Sequence, residues 1–492
     1  MLSHPSHNHL EVQILHKCPH MFKVAPPHPT MPQAILPSRD KVLLEFTRQP
    51  SDPLAREYFE TQGLTQAAAL ECNALAARTP VSVGRTCYLY IQDAQNRFRT
   101  RIKLKGAAGL EAMCLKETGE RTIGVRAPAP LTPYNADRKI LHLGFDPKAA
   151  PLTLTLIPEA PKAYMSLTQQ GAEREYDCMA RLSKLGLAEV PIFAAQRIRM
   201  AAGDQGKVPE FDYQGRTTGV TASLFPFESR FVFDYLQFAL FAVGERLIMF
   251  REEAAHETHT LGDDPLSVVS SAIDIYSRMA RAKRDSIIEG LVARHNGGPN
   301  NFILHKGRDV RLADLDSALT LETVDHSQWG AHMLRDFTRD LMRALQYITF
   351  AAGNDIIFSK LQDDSLPLFK PILQGFYGDL ATPDALQRAA NEVRDAYLAL
   401  IAAHRDSIAQ IQDSHFLVQI GEYHKSAVEA LYQRTSKLLC PLHTDVFAAL
   451  YNLQRSSTVL CQRGFSLPDL GKTGEELKQH FRAGVTAFGR TL

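Results

Sequence analysis

Residues 294–318 read RHNGGPNNFILHKGRDVRLADLDSA. Two short apolar runs, FIL and VRLA, flank the turn HKGRD, where Gly307 supplies the backbone freedom that a tight turn needs. Asn301 stands just before the first run, and Asp314 and Asp316 follow the second. A hairpin brings those polar ends together, so an amide and a carboxylate oxygen face one cleft. An Asp that closes an apolar strand needs a partner, and a divalent cation is the simplest one. Mg²⁺ prefers oxygen ligands and takes one or two protein side chains beside phosphate oxygens. The plainer reading is an irregular Asn/Gly/Pro loop followed by an acidic turn on a solvated surface. Order, spacing and the apolar runs between the polar residues favour the site.

The rest of the chain is α+β. A helical pattern covers residues 40–80, with Leu54, Tyr58 and Phe59 leading toward Ala67, Leu70 and Leu75. Short strands follow in CYLYI, FRTRIKLKG, AMCLK and RTIGV, and again in RKILHL, LTLTLI and KAYMSLT. A helix beginning at Glu173 runs through Met179, Leu182 and Leu185 and stops at Gly186. GLAEVPIF and TGVTASLFPFE supply two more strands. Beyond Asp234 the pattern is mostly helical, including 334–350 and 386–404.

The motif stretch resembles the protein-kinase fold, especially the aminoglycoside-phosphotransferase-like kinases. That family carries a catalytic Asp, an Asn five residues later, a hairpin, and then Asp-Phe-Asp or a close variant. Here Asn296 is followed by Asn301 five residues on, and Asp314-Leu315-Asp316 comes after the hairpin. The resemblance implies a bilobal fold with a small β-rich N-lobe, a large helical C-lobe and N- and C-terminal extensions. It implies ATP and Mg²⁺ (or Mn²⁺) as cofactors, with Asn301, Asp314 and Asp316 around the metal. One departure matters: Arg294-His295-Asn296 stands where the family has its HRD-like triplet. A neutral amide cannot act as a carboxylate base. His295 titrates in the right range and is adjacent, so His295 and Asn296 are the catalytic candidates.

For the N-lobe the same resemblance implies a strand lysine paired with a helix glutamate. Lys162, thirteen residues before Glu175, is the candidate, with Ser166 as the other position the family's lysine would take and Glu173 as the other glutamate. Without the resemblance, Lys162 is a solvated lysine at a strand start and Glu175 a first-turn glutamate complementing the helix dipole. The loop GFDPKAAP offers Gly144 and Lys148 to phosphates but lacks a G-x-G-x-x-G pattern. LFPFE at 224–228 resembles the hinge between kinase lobes. A second, looser resemblance is to selenoprotein O, a kinase-fold family implied in AMP transfer. It rests on RIKLKGA at 101–107 and on REYDCMARLSKLGL, without the arginine-rich remainder of that family's segment. MLRDFTRDLMRAL and PILQGFYGDL resemble helical-lobe segments of small-molecule kinases.

The organisation expected from these features is a leader over 1–38, a helical and β extension over 39–135, an N-lobe over 136–228, a C-lobe over 229–404 and a helical extension over 405–492. The leader holds many His and Pro residues and is expected to be disordered. It lacks the basic start and apolar core of a standard signal peptide. Metal binding by its histidines, or a role as a leader for a specialised secretion system, are the functional alternatives. Acidic and basic residues nearly cancel, with a net charge of +1, which argues against a dedicated nucleic-acid binder. The 7 cysteines are dispersed and form no C-x-x-C pair, which points to a reducing compartment. The longest apolar run, 231–250, is broken by Asp234, Gln237, Glu245 and Arg246, so no transmembrane segment is expected. The expected location is therefore the cytoplasm, or a host cell reached by a specialised bacterial secretion system. Three functions compete: an ATP-dependent transferase acting on a protein or small-molecule acceptor, a pseudokinase that binds nucleotide or a partner, and a secreted bacterial effector using either route.

Overall fold

A computed structural model describes residues 42–61, 82–83, 86–92, 98–106, 115–117, 123–125, 141–145, 154–158, 167–200, 206–211, 215–226, 229–232, 264–293, 301–320 and 354–410, with scattered helical residues between 332 and 351 and at 439. The chain begins with β1 (Val42–Arg48), α1 (Pro53–Thr61), β2 (Ser82–Val83), β3 (Thr86–Gln92) and β4 (Phe98–Lys105). Two small hairpins follow, β5 (Leu115–Glu117) with β6 (Ile123–Val125), and β7 (Leu141–Phe145) with β8 (Leu154–Pro158). Next come β9 (Leu167–Thr168), α2 (Gln169–Leu182), β10 (Val190–Met200), β11 (Lys207–Pro209), β12 (Thr218–Pro226) and β13 (Ser229–Phe231). The remainder is α3 (Pro265–Ile288), β14 (Leu291–Val292), β15 (Phe302–His305), β16 (Asp309–Leu312), β17 (Leu319–Thr320), α4 (Asp355–Gln362), α5 (Phe369–Tyr377) and α6 (Pro383–Gln410). The fold is mixed α and β. Two compact units divide it, one formed by 1–138, 160–180 and 190–227, the other by 139–159, 181–189 and 228–492.

The first unit is built on one antiparallel sheet with the order β1-β10-β12-β4-β3-β2, to which β9 and β11 add at β12 and β10. Strand β4 sits in its middle because its alternation suits a two-faced position. Ile102 and Leu104, both fully buried, enter a core with Leu44, Phe59, Ile192, Phe193, Val220, Ala222 and Leu224. Helix α1 delivers Ala55 and Phe59 to that core. It starts at Asp52, whose carboxylate accepts from the amides of Leu54 and Ala55 at 3.0 and 3.2 Å, with Pro53 in the first turn. On the sheet's other face Leu167 and Ala194 form a second apolar cluster with Ala172 and Tyr176 of α2. Helix α2 opens where the Thr168 hydroxyl accepts from the amide of Gly171 at 3.0 Å. Its 3₁₀ extension ends at Gly186, at φ 71°, the left-handed position that favours glycine after a helix.

In the second unit α3 is the central helix. Asp264 caps it by accepting from the amides of Leu266 and Ser267, and Pro265 occupies the first turn. Helix α5 lies close against it: a Cβ on Gly375 would meet the carbonyl oxygen of Ser277 at 2.2 Å, so this crossing requires glycine. Phe376 stacks on Phe337 at 4.0 Å, adding an aromatic seam to the same core.

Three expectations need revision. Residues 42–48 are a strand and not part of a helical stretch, because Leu44 pairs into the sheet beside β10 and is buried there. The extension expected over 39–135 is not a separate layer: β1, β3 and β4 share one sheet with β10 and β12, joined by long-range pairing invisible to local pattern. The hairpin expected over 138–157 forms, as β7 with β8, but it is a ladder of its own outside that sheet. The leader, most of the apolar run over 231–250 and most of 405–492 lie outside the described residues. Among the described residues no helix is long and apolar enough to cross a membrane.

Candidate functional site

Strand β4 carries Lys103 and Lys105 on the face opposite Ile102 and Leu104. Both lysines are only 4% exposed. Cross-strand neighbours on β12 are Ser223 for Lys103 and Thr221 for Lys105, both buried. The Lys105 ammonium donates to Glu175 Oε2 on α2 at 2.8 Å, and Glu175 is 1% exposed. A buried ammonium and carboxylate are each costly to desolvate, so the pair forms only where strand and helix hold it together.

The chain leaves β4 through Gly106, at φ 87°. A Cβ there would meet the Gly219 carbonyl oxygen at 2.4 Å. Glycine is thus required directly after Lys105. The Gly106 carbonyl accepts from Arg197 Nη1 at 2.7 Å, while Arg197 Nε donates to Glu210 at 3.1 Å. This second buried pair, from β10, fixes the end of the lysine strand.

Of the two glutamates left open by the sequence, Glu175 is the one against a lysine. Glu173 instead accepts from Gln169 Nε2 at 2.9 Å and lies 4.0 Å from the Arg48 guanidinium. Among the described residues the lysine that pairs with Glu175 is Lys105; Lys162 and Ser166 lie outside the described residues. The two partners stand 70 residues apart. The signal was present in RIKLKGA, where an alternating basic and apolar strand ends in glycine. What the sequence lacked was the sheet order that buries this strand.

In the second unit the described part of the motif stretch, 301–318, lies between the strands of a short ladder. Leu291–Val292 and Leu319–Thr320 pair as an antiparallel ladder, Val292 opposite Leu319. Between these strands β15 and β16 form the expected hairpin, with Phe302 opposite Leu312 and His305 opposite Asp309. The turn uses positive φ at Lys306 (52°) and Gly307 (67°). At the open end the Ala313 amide donates to the Asn301 carbonyl at 2.9 Å, which extends the ladder by one step and sets Asn301 beside the start of Asp314. Asn301 is buried, and Asp314 and Asp316 are half-buried. Asp314 adopts φ 56° and ψ 51°, a left-handed conformation that few non-glycine residues hold and that Asp tolerates better than most. A 3₁₀ turn, Leu315–Ser317, begins there.

The hairpin rests on a buried base. Lys283 on α3 donates to Asp336 at 2.6 Å, and both side chains are at most 1% exposed. The Lys283 ammonium lies 5.9 Å from the centre of the Phe302 ring. On β13, Ser229 shares a 2.9 Å hydrogen bond with His305 Nδ1. His295, Asn296 and Lys148 lie outside the described residues. Gly144 is in β7 opposite Thr155, in a ladder that is not part of the sheet holding Lys105.

Asn301 and Asp314 are the side chains at the hairpin that could hold a hard cation. Among the described residues no three His, Cys, Asp or Glu side chains group as metal ligands. An amide and a carboxylate from Asn301 and Asp314 are a two-residue set, the number that Mg²⁺ usually takes when phosphates complete its shell. No protein-family model matches the chain, and no curated protein does.

Proposed function

We propose that the chain is an atypical transferase of bilobal protein-kinase-like fold, using ATP and a divalent metal to modify a protein or small-molecule acceptor. One observation carries this reading: the buried Lys105–Glu175 pair bridging the central strand and its helix. Lys105 would contact phosphate oxygens, and Glu175 would hold its ammonium in place. Asn301 and Asp314 would hold Mg²⁺ or Mn²⁺, with Asp316 as a further acidic group. The bound cation supplies positive charge across the phosphates, which is most of what such chemistry asks of its site. In phosphoryl transfer the acceptor oxygen bonds to the γ-phosphorus as the bond to ADP breaks. In nucleotidyl transfer it bonds to the α-phosphorus as pyrophosphate leaves. Either way the acceptor hydroxyl gives up a proton, and His295, next to Asn296 in the sequence, is the candidate to take it.

A second reading is favoured by Asn296, which stands where the resemblance places the base. It is a pseudokinase that binds nucleotide or a partner without transfer, in the setting of a secreted bacterial effector. One experiment separates the two. The protein is incubated with Mg²⁺ and ATP labelled at the α or γ phosphate, beside Asp314→Asn and Lys105→Met. Transfer from γ marks a kinase and transfer from α a nucleotidyltransferase. Thermal stabilisation by Mg²⁺-ATP without transfer marks a pseudokinase; saturation at 100 times Kd adds about 2.7 kcal/mol. Asn tolerates the left-handed backbone, so Asp314→Asn is expected to keep its stability and lose the nucleotide response. Neither transfer nor stabilisation in the unaltered chain would sink both readings.

A further inference from the structure

We propose that Arg48 is a positioning residue for the Lys105–Glu175 pair: the end of β1 braces α2 in the one rotation that presents Glu175 to the sheet. The proposal rests on the transferase or pseudokinase reading for its functional meaning, but its geometry stands independently.

The brace begins with a β-bulge. Phe46 pairs with Ala195, yet Arg48 pairs with Ala194, so Thr47 is the extra residue. A bulge re-aims the side chains beyond it, and a one-residue shift moves them to the sheet's other face. Phe46 packs against the core that α1 covers. Arg48 instead reaches α2, where Nε and Nη2 donate to the two carboxylate oxygens of Asp177 at 3.1 and 3.2 Å. The Thr47 hydroxyl donates to the Ala194 carbonyl at 3.3 Å, and Arg48 Nη1 donates to the Thr47 carbonyl at 3.0 Å. These bonds hold the bulge in shape. One residue further, the Gln49 carbonyl accepts from the Tyr176 hydroxyl.

The brace grips the helix face away from the lysine. At 3.6 residues per turn, Glu173 and Asp177 each lie about 160° around the helix from Glu175. The bidentate geometry of Arg48 on Asp177 resists rotation as a single point contact would not. Arg48 is held above its usual pKa, chiefly by its hydrogen bonds to Asp177, which agrees with a persistent pair. The bland alternative is a surface ion pair with no consequence: the side chains of Arg48 and Asp177 are 38% and 46% exposed.

The test uses the full chain as Arg48→Gln, Asp177→Asn and the charge-exchanged double variant Arg48→Asp/Asp177→Arg. A water-soluble amine-acylating reagent is applied, and labelling of each lysine is read by peptide fragmentation mass spectrometry. Amide hydrogen exchange in β12 reports general unfolding of the first unit, and Lys283, 1% exposed and paired, reports unfolding of the second. Both single variants are expected to speed Lys105 labelling by about two- to fivefold, the range open to a half-exposed pair, and the double variant is expected to restore it. Unchanged Lys105 labelling in both single variants, no recovery in the exchange, a parallel loss of β12 protection, or a parallel rise at Lys283 overturns the brace. If the unaltered protein neither binds nor turns over ATP, the proposed function fails while the labelling still decides the brace. Where turnover is present, Arg48→Gln is expected to lower kcat by a similar factor, with recovery in the exchanged pair. An unchanged kcat overturns the positioning role.

Discussion

The Lys105–Glu175 pair can be weighed by a double-mutant cycle built from Lys105→Met, Glu175→Leu and both together. The ammonium and carboxylate are 2.8 Å apart, with side chains 5% and 1% exposed. At an effective dielectric near 20 their attraction is about 6 kcal/mol. Desolvating each ion costs several kcal/mol, so the net worth of the pair to stability is near zero. Removing one partner strands the other charge, and each single variant is expected to lose about 3–5 kcal/mol. The double variant should sit near the unaltered protein, leaving a coupling energy equal to the sum of the two single losses, about 6–10 kcal/mol. Amide hydrogen exchange in β12 and α2 reports the first unit directly. Each loss of about 1.4 kcal/mol is tenfold in protection, so single variants should lose about two to three decades there. Additive losses, with the double variant worst, would refute the reasoning that the two charges answer one another.

Two more outcomes are set by local geometry. Gly106→Ala should lower the stability of the first unit by at least about 2 kcal/mol, since it combines a left-handed backbone with a Cβ 2.4 Å from a carbonyl oxygen; hydrogen exchange in β4 reads it, and a neutral result would mean that strand end is misplaced. Asp264 is held below its ordinary value of 3.8 first by the Ser267 hydroxyl and then by backbone amides, so its stabilisation of α3 is present above pH 3.8 and is lost as pH falls through the depressed value. Asp264→Asn, which also caps, should flatten that acid-side slope in a circular dichroism titration.

The parts of the fold legible in the sequence were those set by local chemistry. The β15–β16 hairpin follows from apolar runs around a Lys306-Gly307 turn, and the stop of α2 follows from Gly186. Strands β3, β4, β10 and β12 were readable as strands. Their order was not, because β4 meets β12 across more than a hundred residues and no local pattern encodes that pairing. Losing the order lost the lysine. Lys103 and Lys105 look like solvated charges until β3 and β12 flank their strand and α2 meets its inner face. Glu175 was readable because the helix period alone turns it inward with Met179 and Leu182, both buried. The Thr47 bulge had no signal at all, since nothing in EFTRQP marks an extra residue.

The cost of the buried pair bears on which functional reading to test first. A helix packed on a sheet needs no ion pair; apolar side chains of similar volume often do as well or better. The first unit nevertheless buries Lys105 and Glu175 beside a strand end that only glycine fits, with Arg197 and Glu210 as a second buried pair next to it. Two such pairs around one backbone turn are a poor way to gain stability and a good way to fix an ammonium in one place. Under the proposed function, a fixed ammonium would serve to meet a bound anion. Asn296 weakens the case for an ordinary base, not for the anion. Nucleotide stabilisation, with Lys105→Met as its control, is therefore the measurement that should precede any search for an acceptor.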